Sequence, residues 1–135
     1  MLGDKHFSIA TKVVRAFARK QKLRPGDAIV LNGLPRHEGQ ARALDDIVAV
    51  EAVVSLQCSA RVAFERIKLN SGGDRTGRED DSVEAIGKKI ELFGRQTLPL
   101  LEYYRRRAVP IYSIIIGTDT SPQQICQQLP GMQPA

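Results

Sequence analysis

The sequence predicts an α/β domain built around a parallel sheet, because short apolar runs alternate with amphipathic segments along its 135 residues. Each run is continuous rather than alternating, which is typical of parallel strands that are covered on both faces. The length corresponds to one ordinary domain, so residues 1–135 are expected to form a single unit. The predicted strands are residues 28–31 (AIVL), 51–57 (EAVVSLQ) and 109–116 (VPIYSIII).

The first helix is predicted over residues 7–20, FSIATKVVRAFARK, from the spacing of its apolar residues. Its basic residues fall mostly on the other side, so this helix should bury one face and expose a basic one. The turn signal RPGD at residues 24–27 then leads into the first strand. The apolar face comprises Phe7, Ala10, Val13, Val14 and Phe17.

The later helices are predicted from capping residues and helical periodicity. Ser59 should cap the third helix, and a Ser-Pro pair should begin the last one. Between them, a glycine-rich charged loop precedes a long helix that Pro99 should kink or interrupt. The predicted ranges are residues 38–48, about 60–69, and 83–104 for the apolar face of the long helix, with a frayed, flexible tail at 130–135.

Composition and charge narrow the function classes. The net charge of +5 and the pI of about 9.5 suit a nucleic acid, an acidic membrane or a phosphorylated small molecule. Aromatic residues make up only 5%, with no tryptophan, which weakens a single-strand-binding interpretation. No apolar run approaches the roughly 20 residues of a membrane span. No secretory signal opens the chain, and its cysteines and histidines lack zinc spacing, so a cytoplasmic protein with reduced thiols is expected.

The turn NGLPR follows the first predicted strand, where open parallel sheets bind their ligands. Gly33 permits a tight turn, and Pro35 stiffens it by fixing φ. Arg36 is then held on a rigid corner, suited to bidentate contact with phosphate or carboxylate. Glycine and proline after a strand also form ordinary turns, so the motif alone is weak.

The loop GDRTGREDD carries a second group of charged residues. Arg75 and Arg78 lie among glycines, before a predicted helix, where arginines on a closing loop can cover phosphates. A solvated, charged loop is the alternative interpretation. Asp80 and Asp81 suit acid/base or metal chemistry, and equally suit capping of the helix that follows. The pattern G-x-x-x-x-G-K-[ST], which wraps a triphosphate, does not occur in the 135 residues.

Together, these segments resemble the adenylate kinase family of nucleoside monophosphate kinases. LNGLPRHEGQARAL resembles that family's DGFPR…QA..L signature, and GDRTGREDD with the long helix after it resembles the lid-end GRxDD segment. The closing VPIYSIIIGTDTSPQQICQQL is similar to the family's last strand and helix, so the resemblance covers about residues 7–129. The abbreviated loop, about residues 70–81, is similar to the lid of short-lid members. The resemblance implies a P-loop-kinase-like parallel sheet with flanking helices, incomplete because the central P-loop strand is absent from this chain.

The resemblance assigns roles on the acceptor side of such a reaction. Arg36 matches the arginine that grips the monophosphate, and Gln40 matches the glutamine that reads its base. Gly33 lies in the same substrate-binding turn. Asn32 stands where the family has an aspartate that helps to hold Mg²⁺ through water, so it keeps the shape of that aspartate but not its charge. No residue is expected to ligate the metal directly.

The resemblance also assigns roles on the donor side. Arg66 matches an arginine near the base and phosphates of ATP. Arg78 matches the lid arginine that stabilises the transferring phosphoryl group, and Arg75 is a further lid arginine. Lys89 stands where the family has another phosphate-binding arginine and keeps the charge without the planar fork. The lid-end carboxylates are Asp80 and Asp81.

The implied function is phosphoryl transfer from ATP, with Mg²⁺, to a nucleoside monophosphate. In the family, the P-loop strand lies between the strands that match residues 28–31 and 51–57 of this chain, and its absence leaves a gap of unpaired backbone. A complementing N-terminal segment or a second copy of the chain is therefore expected as a partner, unless the sheet is rearranged or the sequence is a fragment of a longer protein. Nucleic acid and membrane are not expected as partners.

Two other function classes compete with this interpretation. A kinase-like regulatory module would hold a monophosphate through Arg36 and Gln40 without turnover, which Asn32 and the missing P-loop pattern favour. A nucleic-acid-binding domain would use the basic first helix, but it explains neither NGLPR nor GREDD.

Overall fold

The computed structural model describes residues 7–70, 73 and 82–129, which form an α/β arrangement. The two lid arginines, the two lid-end aspartates and the tail at 130–135 lie outside these residues. The elements in chain order are α1 (Phe7–Lys20), α2 (Glu38–Asp45), β1 (Val53–Gln57), α3 (Ala60–Lys68), α4 (Val83–Leu92), a π-helical segment (Phe93–Thr97), α5 (Leu98–Arg106), β2 (Ile111–Ile115) and α6 (Pro122–Gln127).

The described sheet has two parallel strands, in which β1 pairs with β2 from Val53–Ile111 to Gln57–Ile115. The expected parallel arrangement is confirmed for these two strands. The prediction of a strand at residues 28–31 is wrong for the described chain, because β1 and β2 pair with each other and no described strand pairs with this run. Its apolar side chains diverge in environment: Val30 is 81% exposed, whereas Leu31 packs against α1 and α2.

Three small apolar clusters hold the elements together. The first joins α1 to α2 through Phe7, Ala10 and Leu44. The second joins α2 to α5 through Ala41 and Leu100, and it also includes Tyr104 and side chains of both strands. The third packs α6 and the chain after it against the other face of β2. Burial therefore fixes α2 and α5 against each other on one face of the sheet.

Helix α1 has the predicted bounds, but its apolar face is only partly covered. Phe7, Ala10 and Val14 are buried, as their i, i+3, i+7 spacing requires. Val13 and Phe17 were expected on the same buried face, but they are exposed to 60% and 46%. The buried stripe is therefore narrower than the apolar pattern of the sequence.

Serine side chains cap three of the described helices, as short polar residues do at helix starts. Ser59 Oγ accepts from the Val62 amide at 3.2 Å, as predicted. Ser82 Oγ accepts from the Ala85 amide at 3.2 Å, so Ser82 is the N-cap of α4, one residue after the predicted capping carboxylate. Ser121 forms a reciprocal capping box with Gln124 at the start of α6.

The long helix is interrupted before Pro99 rather than at it. The Leu98 amide donates to the Phe93 carbonyl, five residues back, which is the π-helical pattern. Pro99 has no N–H, and its ring would clash with the carbonyl four residues back, so the preceding turn widens. The helix thus accommodates this proline by forming the π-helical segment just before it. None of the described helices is long and apolar enough to cross a membrane.

Candidate functional site

The turn before α2 adopts the tight geometry that the sequence predicts. Gly33 has a φ of +80°, in the region that side chains rarely adopt, and the Leu34–Pro35 peptide bond is cis. A Cβ atom at Gly33 would lie 3.5 Å from Nη2 of Arg36, which is ordinary van der Waals contact. The need for glycine here is therefore conformational rather than steric.

Arg36 is held by three hydrogen bonds from different parts of the chain. Its backbone N–H donates to Gln40 Oε1 at 2.8 Å, and its Nε donates to the Gly33 carbonyl at 2.9 Å. Its carbonyl accepts from Thr97 Oγ1 at 3.1 Å. We call Gly33, Arg36, Gln40 and Thr97 the Arg36 corner. These bonds fix both the backbone and the start of the guanidinium group.

The guanidinium of Arg36 is exposed and has no carboxylate partner in the described part of the chain. Two residues after Gln40, Arg42 differs, because Glu38 contacts it at 2.5 Å and raises its pKa through that hydrogen bond. The two Nη groups of Arg36 can still donate to an anion that approaches the turn. Within the part of the chain that the structure describes, the arrangement is therefore an oriented cation without a carboxylate partner, on a hydrogen-bonded corner.

Gln40 is only 3% exposed, and its carbonyl oxygen is engaged by the Arg36 amide. The structure thus gives Gln40 a role in shaping the corner. Its contact with the base of a monophosphate stays a prediction. The same side chain also carries an amide NH₂, which can donate to such a base.

Packing between α2 and α5 adjoins the Arg36 corner, because Gln40 lies on α2 and Thr97 directly precedes α5. Tyr103 donates a short hydrogen bond to Asp45, which Arg107 also contacts at 3.2 Å. This bond to the Asp45 carboxylate raises the pKa of Tyr103, and burial contributes further. Tyr104 is 2% exposed, its hydroxyl has no hydrogen-bond partner in the described structure, and burial raises its pKa to about 12.

A second arginine, Arg66, closes the loop that follows β2. Its Nη1 donates to the carbonyls of Gly117, Thr118 and Thr120 at 2.9, 2.9 and 3.0 Å. Beside it, Thr118 Oγ1 donates to Glu65 Oε2 at 2.9 Å. We call Glu65, Arg66 and the loop 117–120 the Arg66 clip. Hydrogen bonds from Arg61 and then Thr118 hold the pKa of Glu65 below its usual value.

The remaining predicted residues are distributed as follows. Asn32 is exposed directly before Gly33, and Lys89 is exposed on α4. Arg75, Arg78, Asp80 and Asp81 lie outside the described residues. Among the residues that are described, no group of three or more His, Cys, Asp or Glu side chains is arranged to hold a metal ion.

Sequence reasoning missed Thr97, which the structure brings to the Arg36 corner from 61 residues away. The available signal was Pro99 inside an apolar helical pattern, since a proline there predicts a distorted turn just before it. That signal locates the distortion but does not reveal which backbone group a nearby hydroxyl will reach.

The parallel sheet with flanking helices makes this chain an α/β protein, and the Arg36 corner carries an exposed guanidinium. No family model matches the chain. It is similar to "Adenylate kinase" of Bifidobacterium longum, with 34% identity over 107 residues, or 76% of this chain and 55% of that protein. The Porphyromonas gingivalis "Adenylate kinase" is 32% identical over 99 residues, or 70% of this chain and 49% of its own length.

A third relative, "Adenylate kinase" of Parvibaculum lavamentivorans, is 34% identical over 84 residues, or 58% of this chain and 41% of that protein. These similarities place the chain in an adenylate kinase-like family. The chain spans about half the length of the curated relatives that it matches.

Proposed function

We propose that the protein transfers a phosphoryl group from ATP to a nucleoside monophosphate, with the Arg36 corner as the site of the acceptor phosphate. The observation that carries the proposal is the oriented, exposed guanidinium of Arg36, which has no carboxylate partner among the described residues. A planar guanidinium with free Nη groups matches two phosphate oxygens at once. The names of the relatives support the same type of reaction.

The reaction requires the protein to position the two substrates and to neutralise phosphate charge, rather than to form covalent bonds itself. Arg36 would hold the acceptor, and Gln40 would contact its base. Mg²⁺ would enter with ATP as part of that substrate, since phosphate oxygens and water are its preferred ligands. Asn32 lies beside the turn, where its neutral amide would act through water only.

On the donor side, the proposal gives Arg75, Arg78 and Lys89 the task of covering the transferred group. The segment at about 70–81 would act as a short lid that excludes water, with Asp80 and Asp81 at its end. Arg66 would lie near the base and phosphates of ATP. Its Nη1 contacts with the loop after β2 are compatible with this role, because no contact of the other guanidinium nitrogens is seen among the described residues.

A further strand would complete the sheet. In the described part of the chain the sheet has two strands and no strand pairs with residues 28–31, which supports this part of the proposal. Such a strand would come from a complementing N-terminal segment or from a second copy of the chain.

Calorimetric titration with AMP, CMP and UMP tests the acceptor site. We expect the chain to bind at least one of them, and Arg36→Ala to weaken that binding by about a hundredfold, through loss of two charge-assisted hydrogen bonds. Arg42→Ala is the matched control, because that arginine is on the adjacent helix but is paired with Glu38. Equal affinities of the wild type and Arg36→Ala would refute the site.

A coupled assay of ADP formation separates catalysis from binding alone. The alternative function is a non-catalytic nucleotide-binding module, which the neutral Asn32 favours. ATP-dependent ADP formation with a monophosphate would exclude that alternative. Monophosphate binding that depends on Arg36, without ADP formation, would support it.

A further inference from the structure

Within the Arg36 corner, Thr97 connects the turn before α2 to the long helical region. It is the last residue of the π-helical segment, and its Oγ1 donates to the Arg36 carbonyl at 3.1 Å. Its own turn offers it a local acceptor, yet the hydroxyl reaches across the fold to a residue 61 positions away. The contact is therefore tertiary and joins the start of α5 to the turn before α2.

The π-helical geometry explains how Thr97 reaches this carbonyl. One extra residue in a helical turn rotates the residues on either side of it by about 100° relative to an unbroken α-helix. The Leu98 amide accordingly donates to the Phe93 carbonyl rather than to Gly94. The direction of Thr97 thus depends on the widened turn that Pro99 imposes.

Thr97 and Gln40 hold opposite ends of the same residue. Gln40 accepts from the N–H of Arg36, and Thr97 donates to its carbonyl. With both backbone groups engaged, the φ and ψ angles of Arg36 are restrained, and the Nε bond to the Gly33 carbonyl restrains the side chain. The direction of the guanidinium is then set before any ligand arrives, which lowers the cost of binding.

We propose that Thr97 is a positioning residue for Arg36, which sets the affinity of the corner for a monophosphate without touching the ligand. This inference rests on the proposed function of Arg36. A positioning role predicts that the loss of the Thr97 hydroxyl lowers ligand affinity only when the Arg36 guanidinium is present. A purely structural role predicts that it changes stability alone.

The first experiment compares Thr97→Val, which removes the hydroxyl and keeps the branched shape, with Thr97→Ser, which keeps the hydroxyl. Calorimetry with AMP, CMP and UMP should show Thr97→Val weakened about threefold to tenfold, as for one neutral hydrogen bond, and Thr97→Ser close to wild type. Thr11→Val is the matched control, because Thr11 Oγ1 donates to the Ser8 carbonyl at 2.9 Å on the distant helix α1.

A double variant shows whether the effect passes through Arg36. In the Arg36→Ala background, Thr97→Val should cause no further loss of affinity, since the guanidinium that it positions is gone. An equal loss in both backgrounds would overturn the proposal. So would unchanged affinity in Thr97→Val, or a loss in Thr97→Ser as large as that in Thr97→Val.

A ligand-free measurement keeps this test separate from that of the proposed function. In NMR spectra, the Arg36 Nε–H signal should be sharp in the wild type and in Thr97→Ser, and exchange-broadened in Thr97→Val. If the wild type binds no monophosphate, the proposed function fails, and this signal alone decides the positioning role. An Nε–H signal that is identical in Thr97→Val and the wild type would overturn it.

Discussion

The Arg36 corner and the Arg66 clip each place one arginine against backbone carbonyls, but they employ the guanidinium differently. Among the contacts of the described residues, Arg36 uses Nε on the Gly33 carbonyl, and the residue is exposed. Arg66 is half-buried, and its Nη1 is shared among three carbonyls of one loop. Within the described residues, the corner thus engages one nitrogen of its guanidinium, whereas the clip uses a guanidinium to close a loop of the chain.

The comparison shows that the chain can engage an arginine beside backbone carbonyls to different extents. What distinguishes the two is which nitrogens the chain already occupies, and which elements support the residue. Apolar packing of α2 on α5 supports the corner, with Tyr104 buried between them. Polar groups, including the Glu65 carboxylate, support the clip. The two regions should therefore respond differently to mutation and to pH.

The same substitution at the two arginines should have the largest effect on stability. Arg66→Met removes the donor that three half-buried carbonyls share and should lower the free energy of unfolding by about 1–3 kcal/mol. Arg36→Met removes one exposed bond and should change it by no more than about 0.5 kcal/mol. Urea denaturation measures both, and an equal loss in the two variants would erase the distinction.

Alkaline pH should lower the stability of the packing between α2 and α5, which supports the corner. Because burial raises the pKa of Tyr104 from 10.0 to about 12, the folded state favours the neutral phenol. Its contribution to stability is full below about pH 10 and is lost as the pH rises towards 12. Tyr104→Phe should reduce this loss, and at pH 7 it should be as stable as the wild type or more so, since it removes a buried hydroxyl that has no partner in the described structure.

Thermal unfolding between pH 8 and pH 11.5 measures the alkaline effect, with Tyr112→Phe on β2 as the control. The control should keep the loss seen in the wild type. A wild-type slope that is unchanged in Tyr104→Phe would show that other groups cause the loss.

Acidic pH should act on the clip, with the smallest effect of the three. The pKa of Glu65 is lowered below 4.5, so its bonds to Arg61 and Thr118 stabilise the clip above that pH and are lost as the pH falls through the lower, folded value. None of the three hydrogen bonds of the corner contains a carboxylate. Amide chemical shifts of Thr118 and Thr120 should therefore move between pH 5 and pH 3, more than those of Arg36 and Gln40.

Glu65→Gln is the control for the acid effect, since a neutral amide keeps the shape but does not titrate. Movement of Thr118 and Thr120 in this variant as large as in the wild type would assign the change to another carboxylate.

Local signals predicted much of this fold. Helix α1 has its predicted bounds, the capping serines 59 and 121 begin helices where expected, and both strands of the sheet lie inside predicted runs. These features depend on neighbours within a few residues, namely caps, periodicity and continuous apolar runs. The turn at Gly33 likewise follows from the conformational freedom of glycine beside the rigid ring of Pro35.

The remaining features depend on distant contacts, which local signals do not contain. Residues 28–31 have the composition of a strand, but a strand also needs a neighbouring backbone. The hydrogen bonds from Arg66 to the loop 117–120 and from Thr97 to Arg36 each join residues more than 50 positions apart. Sequence spacing places such residues on elements, and only the fold decides which of them meet.

The π-helical segment Phe93–Thr97 makes the number of residues in this region as important as their identity. Deleting one residue there would restore an unbroken α-helix only by turning α5 about 100° against α4. Leu100 and Tyr104 would then leave the cluster that they share with Ala41, while Thr97 would lose the Arg36 carbonyl. Homologues and engineered variants should therefore accept changes of side chain in this stretch far more readily than changes of length.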